Sequence, residues 1–259
     1  MVKNQDAKVI NLQAKEKCCT PGDHSFFPVI FHVLLFLAMI HSNEPDCFRL
    51  ISREEFDSLA GKRSEVNYLK GETIFKQGAL APHVLFIQSG LVKVYLQTGP
   101  RKVQNLWIAR AGDFLAFSSI FGQRVYPYSA MALKESGLLM IEKESLGQLL
   151  KTNPEFAFRI TTRNYNSETH LLEIISSLSY RQMRGKLAGT LLYLSSEALA
   201  PEKVFDYLTR QDIADFASIS VESVIKFLKE FEKEGILRLE GKLVQVEDPE
   251  RLRIISRTS

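Results

Sequence analysis

The sequence predicts an α+β chain: an N-terminal jelly-roll β-barrel, then a long helix, then a C-terminal winged helix-turn-helix. Three observations carry that reading. Between about Glu65 and Glu144, short β-rich runs are separated by glycines. From Asn153-Pro154 to about Leu178, apolar residues recur at helical spacing. From Leu208 to Gly235 two short helices flank a tight turn, and alternating apolar residues follow on both sides of Glu240-Gly241. At 259 residues the chain has room for about two domains.

Residues 1–50 form an N-terminal extension. Its stretch Phe26 to Ile40 holds no formal charge, but it is short for a membrane span and is interrupted by Pro28 and His32. Lys15 and Lys17 precede it, yet no small-residue cleavage site follows. A buried helix or a surface packed on a partner is the expected role, with a membrane anchor as the alternative. Cys18, Cys19 and Cys47 do not make a disulfide framework and suit a reduced, cytoplasmic chain. Adjacent Cys18 and Cys19 lack the gap that lets two thiolates face one ion, so no metal is expected, although His24 and His41 lie nearby.

Residues 51–152 are the barrel domain. Ser52 and Glu55 make a capping box for a short helix carrying Phe56 and Leu59 and ending at Gly61. Strands are expected at 66–69, 73–75, 84–87, 91–96, 103–108, 129–133 and 137–141. Gly71, Gly78, Gly90, Gly99-Pro100, Gly112 and Gly122 lie between them. Strands do not alternate with helices here, which argues against a dinucleotide fold. Phosphate-loop, nucleophile-elbow and zinc-protease motifs are lacking, so the chain does not read as an enzyme. Phe114, Phe117, Phe121, Tyr126 and Tyr128 either fill the barrel core or line a pocket for an apolar or aromatic effector.

Residues 153–179 are the long helix. Ala157, Ile160, Asn164, Ser167, Leu171, Ile174 and Leu178 follow alternating three- and four-residue steps, a heptad seam that predicts a homodimer. Polar Asn164 and Ser167 would set register. Phe158, Tyr165, Leu172 and Ile175 form a second stripe, expected to cover the barrel.

Residues 180–259 hold the head. A helix from Met183 to Ser195 leads into it. Thr209 and Asp212 make a capping box for a helix carrying Ile213, Ala214, Phe216 and Ala217 inward. Ser218 to Ser220 is the turn, and Ser220 caps a second helix with Val224, Phe227, Leu228 and Phe231 inward. Val221, Glu222, Ile225, Lys226 and Lys229 then point outward, where Glu can accept from cytosine N4 and Lys can donate to guanine. Arg238 and Lys242 on the wing are candidate phosphate contacts. The competing interpretation is an αα-hairpin with a solvated charged face. It draws support from the charge balance, because Asp and Glu outnumber Lys and Arg from Pro201 onward although the whole chain carries +3. DNA affinity would have to come from local cation placement.

In this order, Gly71-Glu-Thr-Ile-Phe, Val84-Leu-Phe-Ile-x-x-Gly90, Gly112-Asp-Phe-Leu, Asn153-Pro154 and the Leu208-to-Gly235 helices resemble the Crp/Fnr transcriptional regulators, relatives of the cyclic-AMP receptor protein. The resemblance spans about Phe56 to Val246. It implies a cyclic-nucleotide-binding-like barrel, a homodimer, double-stranded DNA as partner on a palindromic operator, and contact with RNA polymerase. It places Glu222 and Lys226 on base-contacting positions, with Val221 where Arg is common. Thr209, Arg210, Ser220 and Ser223 complete the expected DNA-facing set. Ser218 replaces a common turn glycine, which is tolerable if the backbone there is not strongly left-handed.

The ligand side departs from that pattern. Where cyclic-nucleotide binders place Gly-Glu for the ribose and Arg-Ser/Thr for the phosphate, this chain has Ala116-Phe117-Ser118-Ser119 and Tyr128-Ser129. Both the carboxylate and the guanidinium are missing, and Leu171 and Leu172 stand where adenine-facing hydroxyls are expected. The effector is therefore expected not to be cyclic AMP. The oxygen-sensing branch holds an iron–sulfur cluster on four cysteines, and three do not meet that. The expectation is a dimeric DNA-binding regulator needing no cofactor, with a small-molecule effector allowed but unspecified. The rivals are a ligand-binding or protein-interaction module with a degenerate helix-turn-helix, and a membrane-tethered regulator.

Overall fold

The computed structural model describes residues 52, 54–55, 59, 62–100 and 102–258, with backbone alone for residues 163–170. The extension with its apolar stretch 26–40, Cys18, Cys19 and Cys47, Phe56, and the side chains of Asn164, Tyr165 and Ser167 lie outside these described residues.

Eight strands build the barrel as two antiparallel four-stranded sheets. The first has the order β1 (Arg63–Tyr68), β8 (Ser136–Glu142), β3 (His83–Ser89), β6 (Phe114–Leu115). The second has the order β2 (Thr73–Phe75), β7 (Ser129–Ala132), β4 (Leu91–Gly99), β5 (Lys102–Arg110). Alternating positions put Val84, Phe86, Leu139 and Ile141 into one buried cluster, and Leu85, Ile87, Val92 and Val94 into another. The turn at Gly90 requires glycine for two reasons. Its φ is 105°, and a Cβ there would lie 2.1 Å from Ser136 Oγ, which accepts a hydrogen bond from Leu91 N.

Ser52 and Glu55 form the expected capping box: Ser52 N donates to Glu55 Oε2 at 2.7 Å and Glu55 N to Ser52 Oγ at 3.2 Å. Among the described residues, several elements escaped the sequence. They include α1 (Lys143–Thr152), which follows β8 without a break, the two-residue β6, and a C-terminal helix, α6 (Pro249–Thr258), which packs on the head through buried Leu252.

Helix α2 (Pro154–Tyr180) starts where Asn153 accepts from Phe156 N at 3.0 Å, with Pro154 at its first turn. The expected seam is only partly turned inward: Ile174 is half-buried and Leu178 is 39% exposed. Ile160 is fully buried in the barrel cluster with Phe156, and Leu171 packs against the other barrel cluster. Phe158 (76% exposed), Leu172 (63%) and Ile175 (60%) face outward. At Ile160 and Leu171 the seam is thus spent on the chain's own core. Both stripes carry large apolar residues, which leaves the choice to packing, and the fully buried Phe156, one turn before Ile160, fixes which of them turn inward.

The head consists of α3 (Met183–Leu194), α4 (Arg210–Ala217), α5 (Val221–Lys233), the ribbon β9 (Leu237–Glu240) with β10 (Leu243–Val246), and α6. Leu187, Leu191, Ile213, Ala214, Val224, Leu228, Phe231, Leu237 and Val244 form its core.

Candidate nucleic-acid interface

The capping box at α4 is complete. Thr209 Oγ1 accepts from Asp212 N at 3.0 Å, and the Asp212 carboxylate accepts from Thr209 N at 2.8 Å. Ser218 ends the helix at φ 52°, ψ 44°, which is left-handed backbone. The condition under which a serine replaces glycine there without strain is therefore not met. A residue with a Cβ pays about 1–2 kcal/mol there, and the Ser218 hydroxyl offsets part of this by hydrogen bonding Gln104 of β5.

Helix α5 begins at Ser220, whose Oγ accepts from Ser223 N at 3.2 Å. The cap fixes the start of the helix, whose N-terminus is the positive end of the helix dipole. Glu222, Ile225, Lys226 and Lys229 are exposed, as a reading face requires. Val221 is only half-buried, packed against the head core, so its methyl groups are shared between core and surface. Lys226 lies 4.0 Å from Glu230, a weak pair that leaves the ammonium accessible. The Glu222 carboxyl is held below its ordinary pKa, first by its own backbone N–H and then by the Ser220 hydroxyl, so it is an acceptor at neutral pH. Ser223 Oγ lies 3.8 Å from Met183 Sδ, bringing the start of α3 beside the start of α5.

On the wing, Gly241 takes φ 62° in a two-residue loop that pairs Leu243 with Glu240. Arg238 lies 3.2 Å from Glu240, which mutes its charge, whereas Lys242 is exposed at the tip. Arg210 does not point free toward solvent. Its guanidinium donates to Lys242 O at 3.1 Å and to Gly241 O at 3.2 Å.

The barrel holds the head mainly at α4, the first helix of the helix-turn-helix. Lys93 Nζ of β4 lies 2.5 Å from Asp212 Oδ1, with both side chains largely buried. Asn105 Nδ2 donates to Asp212 O at 3.0 Å, and Gln104 Nε2 to Phe216 O at 3.2 Å. Gln104 and Asn105 are consecutive on β5 and both reach α4, next to a register shift in which Val94 pairs with Trp107 and Tyr95 with Asn105, so that Leu106 is the extra residue of a bulge. Tyr193 Oη accepts from Ile108 N at 2.8 Å, and Lys134 pairs with Glu202 at 2.9 Å. These contacts were not foreseen. A polar Gln-Asn pair inside an apolar strand was the available signal.

The proposed pocket residues do not gather around one cavity. Phe114 and Phe117 belong to the cluster around Phe86, while Tyr128 meets Trp107 edge-on at 5.1 Å. Tyr128 Oη accepts from Ala116 N at 2.7 Å, and burial pushes its phenol up to about 12 against that opposing bond. Ser129 Oγ accepts from Gln77 N at 2.9 Å, Ser118 Oγ donates to Gln123 at 2.8 Å, and Ser119 Oγ is buried. Apart from the Ser119 hydroxyl, which is buried without a hydrogen-bond partner, these groups are committed to core packing and local bonds. Among the described residues, no cluster of His, Cys, Asp and Glu could hold a metal ion, and no helix is long and apolar enough to cross a membrane.

Residues 65–153 match the cyclic nucleotide-binding domain, and residues 185–255 match the Crp-like helix-turn-helix domain. The chain belongs to the Crp/Fnr family. It is 26% identical over 203 residues to the fumarate and nitrate reduction regulatory proteins of Escherichia coli K12 and Salmonella typhi, an alignment covering 77% of this chain and 80% of each of those proteins. Its fold is similar to that of FixK2 from Bradyrhizobium japonicum (TM-score 0.62, 19% identity, 76% of this chain and 98% of that one). It is also similar to that of the c-di-GMP responsive regulator CLP from Xanthomonas campestris (TM-score 0.64, 19% identity, 75% and 99%). As a Crp/Fnr-type regulator the chain is a DNA-binding transcription factor of α+β fold, and the family matches are to regulators rather than enzymes.

Proposed function

We propose that this Crp/Fnr regulator acts as a homodimer that reads a palindromic operator without cyclic AMP. The observation that carries the reading is the outward stripe Phe158, Leu172 and Ile175 on a 27-residue helix, next to a head that presents a capped recognition helix. A stripe of this kind covered by a twin buries apolar surface at about 25 cal/mol per Å², and two recognition helices then meet successive major grooves. Glu222 and Lys226 read bases. Thr209, Ser220 and Ser223 keep the helix N-termini in place for phosphates, while Lys229 and Lys242 supply charge at the backbone, joined by Arg238 where a phosphate displaces Glu240 from it. Contact with RNA polymerase on the operator completes the regulatory role.

Against cyclic AMP stand the missing cation opposite a phosphate, with Tyr128 in its place and tied to Ala116 N, and Leu171 packed into the barrel. With three cysteines, the chain also cannot complete a four-cysteine iron–sulfur cluster on its own. No cofactor enters the proposal, and any effector is of another class. Calorimetric titration with cyclic AMP is expected to give no binding heat, and sedimentation of the protein should give twice the chain mass. Saturable cyclic AMP binding, or a monomer at micromolar concentration, would contradict the respective half of the reading.

A further inference from the structure

The β9–β10 ribbon is held unevenly. Buried Leu237 and Val244 fix its base and middle, whereas Gly241, Lys242 and Leu243 at the tip are exposed. A two-stranded ribbon has little stability of its own in water, so the position of its tip depends on what else grips it. Arg210 grips it, with one guanidinium nitrogen on each of two consecutive loop carbonyls, Gly241 O and Lys242 O. The planar fork of Arg suits two neighbouring acceptors, which a Lys ammonium cannot reproduce. Arg210 sits in the first turn of α4, beside the Thr209 cap, and so ties the wing tip to the rigid start of the helix-turn-helix.

We infer that Arg210 is a positioning residue, which sets the wing tip so that Lys242 meets the DNA backbone. This rests on the reading that the wing touches DNA. Arg210 then contributes to affinity through Lys242, not through its own charge.

The test is operator affinity of the full chain across a series of salt concentrations, for R210A, R210K, K242A and the double variant R210A/K242A. Amide exchange at Gly241–Leu243 is followed in parallel. K242A should weaken binding by roughly 3- to 10-fold and reduce the salt slope by about one. R210A and R210K should each do the same, and the double variant should be no worse than either single one. Amide exchange at the tip should quicken in both Arg210 variants and not in K242A, while exchange in α4 and α5 stays slow. Retention of wild-type affinity by R210K, or multiplication of the two losses in the double variant, would overturn the inference by showing that Arg210 acts by its own charge. Unchanged affinity in K242A would instead remove the wing contact itself, and the inference with it.

Discussion

The Asp212 carboxylate binds on both sides at once: Oδ1 meets Lys93 Nζ of the barrel at 2.5 Å, and Oδ2 closes the capping box with Thr209. One side chain thus starts the first helix of the DNA-reading motif and fastens that helix to strand β4. Breaking a buried pair from one side strands the other charge, at a cost of about 3–5 kcal/mol. Lys93→Ala should lower unfolding stability toward the lower end of that range, because Thr209 still solvates the carboxylate. Chemical denaturation of the two proteins measures it. A change below about 0.5 kcal/mol, the level of an exposed pair, would mean that the contact contributes nothing.

The same carboxylate predicts a pH dependence. Burial opposes ionisation of Asp212, but the bonds from Lys93 and Thr209 outweigh it and hold its pKa below the ordinary 3.8. A depressed folded-state pKa stabilises the protein above the unfolded value, and that stability is lost as pH falls through the folded value. The contribution should therefore be full at neutral pH and decay only below about pH 4. Asp212→Asn should flatten the acid limb of a stability–pH curve there. An identical acid limb in both proteins would contradict the assignment.

Helix α2 yields a paired prediction. Leu172→Asp, on the exposed stripe, should split the dimer in sedimentation while leaving the fold intact. Ile160→Ala, in the barrel core, should cost about 2–5 kcal/mol of stability and leave association unchanged under conditions where the variant is folded. The opposite pattern would restore the seam to Ile160.

Base reading is tested at Lys226. Lys226→Ala should weaken binding to the preferred operator by about 1–3 kcal/mol and relax preference at one base pair. A uniform loss over all sequences would make Lys226 a backbone contact.

Much of the fold was legible because its signals are local. Glycine turns bounded the strands, Asn153-Pro154 marked the start of α2, and Thr209 with Asp212 marked the head. What escaped depends on relations distant in sequence. Both stripes of α2 carry large apolar residues, and packing beside Phe156 decides which of them turn inward. Arg210 reads as one more cation near DNA until the wing, some thirty residues on, folds back beneath it. Ser218 reads as a turn residue, but its left-handed backbone becomes visible only with Gln104 opposite. The aromatic run from Phe114 to Tyr128 reads as one set, but Phe114 and Phe117 share the cluster of Phe86, Tyr128 meets Trp107, and Phe121 is 72% exposed.

Selection of bound duplexes from a randomised DNA pool by the purified protein, without added ligand, tests the central claim most directly. The account predicts enrichment of a palindromic consensus, with half-sites about one helical turn apart. Enrichment of a single unrepeated half-site, or none with cell extract also present, would contradict a dimeric reader of DNA.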